Sequence, residues 1–227
     1  MSSASVYAPF DKHRGPHPGI LAIVHVSLFA GSLLLLGILT AGKGFPNPFV
    51  PLVEAQQRLQ TFTAVTRINA LMQFGAAVPL GLFTAAVTSR LSFLGVNVTG
   101  VSIALFGGIG ASLLMMLSSL CTWVLCQAGV IDNLSTMHAV QLLGFATGGV
   151  AHVVALGLLM AGIAVPSLFG GYTPKWVAWL GLVLAAIAEL STLSLIFAPL
   201  MILLPIARFG SYIWLIATGF TLTKNRS

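Results

Sequence analysis

Long apolar runs, separated by short polar or Gly/Pro-rich stretches, organise this chain from residue 19 to residue 222. The first run covers about residues 19–41 (GILAIVHVSLFAGSLLLLGILTA). The others cover about 68–88, 98–128, 136–164, 175–197 and 205–222. Most reach the roughly 20 apolar residues that an α-helix needs to cross hydrocarbon. The breaks are GKGFPNPFV at 42–50, residues 89–97, a turn at 129–135 holding Asp132 and Asn133, and a loop from Pro166 to Pro174 with Gly170 and Gly171. Pro199 and Pro205 interrupt the pattern before the last run. Pro79 falls inside the second.

Ahead of the second run, Leu52, Ala55, Leu59 and Phe62 recur at helical spacing, with Glu54, Gln57, Arg58 and Gln60 on the other face. That pattern predicts a short amphipathic helix at the membrane surface, close enough to run on into the second span. Lipid leaves only helices and closed barrels as spanning structures. Barrel strands would alternate over about 10 residues, whereas these runs are longer and continuous. The expected fold is an all-α, polytopic integral membrane bundle of six transmembrane helices. A polar tail (1–18) precedes it and another (223–227) follows.

Composition reinforces the pattern. Hydrophobic types make up 57% of 227 residues and charged types 6%, against about 25% charged in an average soluble domain. Ten basic and four acidic residues cannot cover a water-facing surface of this size. A soluble domain, a disordered tail and a nucleic-acid-binding module are excluded. The net charge of +6 comes from basic residues near segment ends, where they anchor membrane helices. The first apolar run is too long for the core of a cleavable signal peptide. With termini inside, that side collects Lys12, Arg14, Arg90, Lys175, Lys224 and Arg226, while Lys43 and Arg58 lie outside, with Arg67 and Arg208 near the outer boundary. The positive-inside rule then places both termini in the cytoplasm. Trp176 and Trp179 suit an inner interfacial anchor, and Phe45 and Phe49 an outer one.

Small residues let membrane helices approach closely. Gly107, Gly108, Gly110, Ala111 and Ser112 form one such strip, and Gly144, Gly148, Ala151 and Ala155 another. Internal packing and a homo-oligomer interface both remain open for them.

Ionisable groups within spans are functional candidates by default. Glu189 is the only acidic residue deep in a span. Arg208 lies on the antiparallel neighbour at a depth differing by roughly 5 to 10 Å. Two readings stand: a structural Glu189–Arg208 ion pair locking the last hairpin, or a proton or cation site. His138, Gln141, Phe145, Gly148 and His152 share one face of the fourth span, and His25 lies in the first. The polar candidates for a binding pocket are His152, Gln141, Glu189 and His25. Haem between His25 and His152 is an alternative, although their expected depths agree poorly, and no cofactor is predicted. Cys121 and Cys126 diverge by about 140° round a helix, so with Met115 and Met116 they read as apolar packing. His13 and His17 lack further ligands, and no metal site is expected. No nucleotide-binding or hydrolase motif occurs, and no catalytic residue is assigned.

Four stretches taken together, AAVPLGLFTAAVTSRL (76–91), GVSIALFGGIGAS (100–112), GGYTPKWVAWLGLVLA (170–185) and LPIARFGSYIWLIATGFTL (204–222), resemble a broad group of uncharacterised bacterial inner-membrane proteins with six spans. The resemblance covers most of residues 60–222. It implies a six-helix fold in a bacterial plasma membrane and no activity. Three functional expectations follow: a non-enzymatic protein that binds or passes a small molecule or ion between helices; a redox or assembly subunit of a larger membrane complex, with haem or quinone nearby; or a membrane enzyme acting on a lipid.

Overall fold

A computed structural model describes residues 13, 15–44 and 49–224. The expected roles of Lys12, Arg14, Phe45 and Arg226 lie outside the described residues. The described chain is all-helical. Its elements are α1 (Pro18–Leu39), α2 (Leu52–Thr61), α3 (Thr63–Phe93), α4 (Thr99–Val124), α5 (Leu134–Ala146), a π-helical turn (Thr147–Ala151), α6 (His152–Gly170), α7 (Lys175–Leu190), two 3₁₀ turns (Ser191–Leu195 and Ala198–Ile202) and α8 (Leu203–Thr221). The segments α5, π turn and α6 form one long rod. Six helices are long and apolar enough to cross a membrane.

Side-chain exposure is inverted relative to a soluble protein. Ile38 (76% exposed), Leu71 (71%), Phe106 (73%) and Phe169 (86%) point outward. Large apolar patches of this kind need an apolar solvent. The chain is a multi-pass membrane protein.

Each span packs on its neighbours in sequence, and α8 returns to α1, which closes a ring. Spans alternate in direction, so the α1 start, the α3–α4 link, the α6–α7 link and the α8 end share one face with the termini. The core runs through α3, α4 and α6, with Ala77, Leu80, Phe83, Ala104, Ala111 and Leu159 fully buried. Small residues bring the backbones together. A Cβ on Gly107 would lie 2.7 Å from the Ala155 carbonyl oxygen, and one on Gly162 2.4 Å from that of Gly100. The Ser112 hydroxyl donates to the Ala77 carbonyl at 2.7 Å, binding α4 to α3.

Several boundaries differ from expectation. The helix expected to stop before Pro166 continues through it to Gly170. The carbonyl four residues earlier belongs to Gly162, where the backbone packs against Gly100, and neighbouring helices support such interruptions in lipid. Pro79 likewise lies inside an unbroken α3. The amphipathic helix does not run on into the second span: Phe62, at φ −113° and ψ 23°, separates α2 from α3. Nor does α2 rest only on lipid. Ala55 packs with Leu125 and Met137, and the Gln56 amide donates to the Ile131 carbonyl at 2.9 Å. From α3, Arg67 donates to the Cys126 carbonyl at 2.8 Å.

At the face of the termini, His17 caps α1 by accepting the Gly19 N–H at Nδ1 (3.1 Å). Partial burial, then Lys224 and Arg90, hold its pKa below the ordinary value. His13 meets Ser89 Oγ at 3.0 Å. Trp176 and Trp179 are exposed beside Lys175, as an interfacial anchor requires.

Candidate functional site

The ring parts on the side away from the termini and encloses a cavity of about 390 Å³, within the usual range for small-molecule sites. Every span except α7 lines it. Phe29 and Leu33 come from α1, Asn69 and Gln73 from α3, and Ser118 and Thr122 from α4. Gln141, Phe145, Gly148 and His152 come from the bent fourth span. Leu204 and Arg208 come from α8. A smaller cavity beside it shares Asn69, Thr122, Leu125 and Gln141 and reaches Arg58 of α2.

The bend explains how a cation sits here. Thr147–Ala151 winds as a π turn, which diverts carbonyls from the α-helical ladder and recurs at functional sites. Arg208 donates from Nη2 to one of those carbonyls, that of Gly148. Only glycine fits at that position, because a Cβ on Gly148 would lie 2.1 Å from Ser118 Oγ. The Arg208 guanidinium also lies 5.7 Å from the centre of the Phe29 ring. Its Nε is buried without a partner, as is Oε1 of Gln141. An arginine at the centre of a membrane helix costs about 2.5–3.5 kcal/mol on insertion scales, and a carbonyl supplies no countercharge.

The histidines lie deeper. Nδ1 of His152 donates to the Ala111 carbonyl at 2.8 Å, and Nδ1 of His25 to the Ala76 carbonyl at 2.8 Å. The carbonyls can only accept, so each Nδ1 carries the proton, and His25 Nε2 is buried with no partner among the described residues. His152 reaches the cavity, whereas His25 does not. His25 stands behind Tyr212, edge-on at 5.5 Å between ring centres, and Tyr212 in turn meets Phe29 at 5.4 Å.

The Glu189–Arg208 ion pair is not formed. Arg208 turns into the ring, while Glu189 is exposed on α7 with its carboxylate over Gly157 of α6. Depth along the two helices was compatible with pairing, but rotation about their axes was not. Arg208 belongs to the inward stripe of α8 with Leu204 and Tyr212, each four residues away. Glu189 follows Ala188, the last inward residue of α7, by about 100°. Of the four expected binding residues, His152 and Gln141 line the cavity, and His25 and Glu189 do not. His138 is half-buried outside it. Asn69, Gln73, Ser118 and Thr122 were not anticipated. Their common signal is position: each lies on the half of its helix that faces away from the termini.

Cys121 and Cys126 are separate buried thiols, and burial pushes the Cys126 thiol above its ordinary pKa, the opposite of a reactive or metal-binding thiolate. Among the described residues no cluster of three or more His, Cys, Asp or Glu could hold a metal ion. The chain matches no protein-family model, no curated protein and no solved structure.

Proposed function

We propose that the protein is a non-enzymatic component of a bacterial plasma membrane, with both termini cytoplasmic, that binds or passes a small molecule or ion through the cavity at Arg208, Gln141 and His152. One observation carries this reading: a cavity of ligand size, deep in an apolar bundle, into which a cation projects without a countercharge. Keeping such a group costs stability, and membrane proteins retain it where it meets a substrate or ion. Binding is favoured over catalysis because the hydroxyls here are committed elsewhere. Ser118 donates to the Gly144 carbonyl and Thr122 to that of Ser118, so neither stands beside a general base as an activated nucleophile would. The redox reading needs the Nε2 atoms of His25 and His152 to face one space. Only His152 reaches the cavity, so the two histidines do not fit a shared haem. The bacterial membrane and its sidedness rest on the sequence resemblance and on the Lys and Arg placement.

Native mass spectrometry of gently purified protein tests the proposal. Wild type is expected to release a bound small molecule, and Gln141→Trp, which pushes a ring into the cavity, is expected to lose it. A wild type that is empty, and that passes neither protons nor small solutes in liposomes, would contradict it.

A further inference from the structure

We infer that the cavity accepts a singly charged amphiphile, an oxyanion head on one apolar chain, with a carboxylate as the head. This rests on the binding function proposed above and specifies its ligand class. Among the described residues, Arg208 is the only charged one lining the cavity. The acidic residues among those described lie elsewhere: Glu54 is paired with Arg58 on α2, Asp132 accepts from the Gly129 N–H in the α4–α5 turn, and Glu189 lies on α7, which contributes nothing to the lining. An arginine stays protonated under all ordinary conditions and presents a planar fork of donors that matches a carboxylate or phosphate edge. Here one donor is taken by Gly148 and the Nε is idle. A bound anion supplies both the missing countercharge and the missing acceptor.

The size of the head follows from charge. One cation balances one negative charge, and among the described residues no lysine or second arginine lines the cavity to balance a phosphate dianion. The apolar part of the lining sets the tail. Phe29, whose ring lies against the guanidinium, and Leu33, Phe145, Met201 and Leu204 line the cavity with apolar surface, which disfavours a small hydrated anion such as acetate and suits a hydrocarbon chain. A volume of about 390 Å³ favours one chain over the two of a phospholipid. An anionic phospholipid shares the head chemistry and is separated from a free carboxylate by experiment.

The test uses the full chain in nanodiscs of neutral phosphatidylcholine, with radiolabelled dodecanoate and dodecanol as probes. Saturable dodecanoate binding at about one per protein, at least tenfold tighter than dodecanol, is expected. Arg208→Gln should bring the two probes to equal affinity, and Arg208→Lys should restore part of the preference for dodecanoate. Should Arg208→Gln fail to fold, the ratio of the two probes on wild type still decides. Equal binding of both probes, displaced by Gln141→Trp, would overturn the inference while leaving a ligand-binding cavity. Binding of neither probe, with no protein-bound phospholipid when phosphatidylglycerol is added to the discs, would overturn both. Retention of phosphatidylglycerol without dodecanoate binding would overturn the carboxylate in favour of a phosphodiester head.

Discussion

At the face of the termini, Gly19 of α1 and Gly219 of α8 meet backbone to backbone, so that a Cβ on Gly219 would lie 2.6 Å from the Gly19 backbone. Nearby, Gly181 leaves room for the Trp214 indole, which donates to the Val177 carbonyl at 3.1 Å. On the opposite half the same helices separate around Arg208 and a cavity. One half is backbone-packed, stabilised by close approach. The other opens on a cavity. Buried polar atoms without a partner among the described residues occur in both halves, Arg90 Nε and Thr218 Oγ1 in the first and Arg208 Nε and Gln141 Oε1 in the second, each worth about 1–3 kcal/mol of lost stability; those of the second belong to side chains that line the cavity. On the function proposed above, packing is tight where nothing needs to enter and relaxed where a ligand does.

Changing the packed half should have the largest effect. Gly162→Ala drives a methyl into the Gly100 carbonyl and the Ala104 amide at 2.4 and 2.6 Å, backbone atoms that cannot swing aside. A loss of about 2–3 kcal/mol is expected, read as a drop in thermal stability in detergent. Gly110→Ala, on the same strip as Gly107, meets only the Ala155 methyl at 3.8 Å and should stay within about 0.5 kcal/mol of wild type. Equal losses at both positions would erase the distinction.

The cavity half should respond in the opposite sense. Arg208→Leu removes a cation with no countercharge and is expected to raise stability by about 1–2 kcal/mol while abolishing ligand binding. A double-mutant cycle of Glu189→Leu with Arg208→Leu should show coupling below about 0.5 kcal/mol, because the side chains do not meet.

The sequence made the six spans and α2 legible because continuous apolar runs and the spacing of Ala55 and Leu59 are direct readouts of environment. It also marked Gly107 and its neighbours, and Gly144 with Gly148, as small-residue strips suited to close approach, whereas the contact of Gly162 with Gly100 was not read from it. Side-chain direction across the ring was harder. Residue counts give depth, but whether Glu189 and Arg208 face each other depends on rotation about each helix and on the two 3₁₀ turns between them. The inward stripe Leu204, Arg208, Tyr212 was present in the sequence and would have assigned Arg208 to the interior. The π turn at Thr147–Ala151 has no comparable signature, since it arises from tertiary fit at Gly148 and Ser118. His152 and Gln141 were recognised as one face of a regular helix, and the bend between them left both on the cavity.

Smaller effects sharpen the packed half. Trp214→Phe keeps an aromatic ring but loses the hydrogen bond to Val177 and leaves a small void where the buried indole was, for about 1–2 kcal/mol, measured by thermal melting. At the cap of α1, His17 must be unprotonated at Nδ1 to accept the Gly19 N–H. Its pKa is held below 6.5 in the fold, so its contribution is present above pH 6.5 and fades as the pH falls below that value. A slight fall in melting temperature between pH 7.5 and 5.5 is expected, and His17→Asn, which caps without titrating, should flatten it.

Thiol labelling reads the charge of the cavity most directly. In a chain with Cys121→Ala and Cys126→Ala, Gln141→Cys places one thiol on the cavity that Arg208 lines, and Ser135→Cys places one at the exposed start of α5 as a reference. An anionic sulfonate reagent should be favoured over a cationic ammonium reagent at position 141 by about tenfold relative to position 135, through attraction to an unscreened charge. Arg208→Gln should abolish that preference. Equal or inverted selectivity at position 141, or a thiol there that no aqueous reagent reaches, would contradict a cationic ligand cavity in this half of the ring.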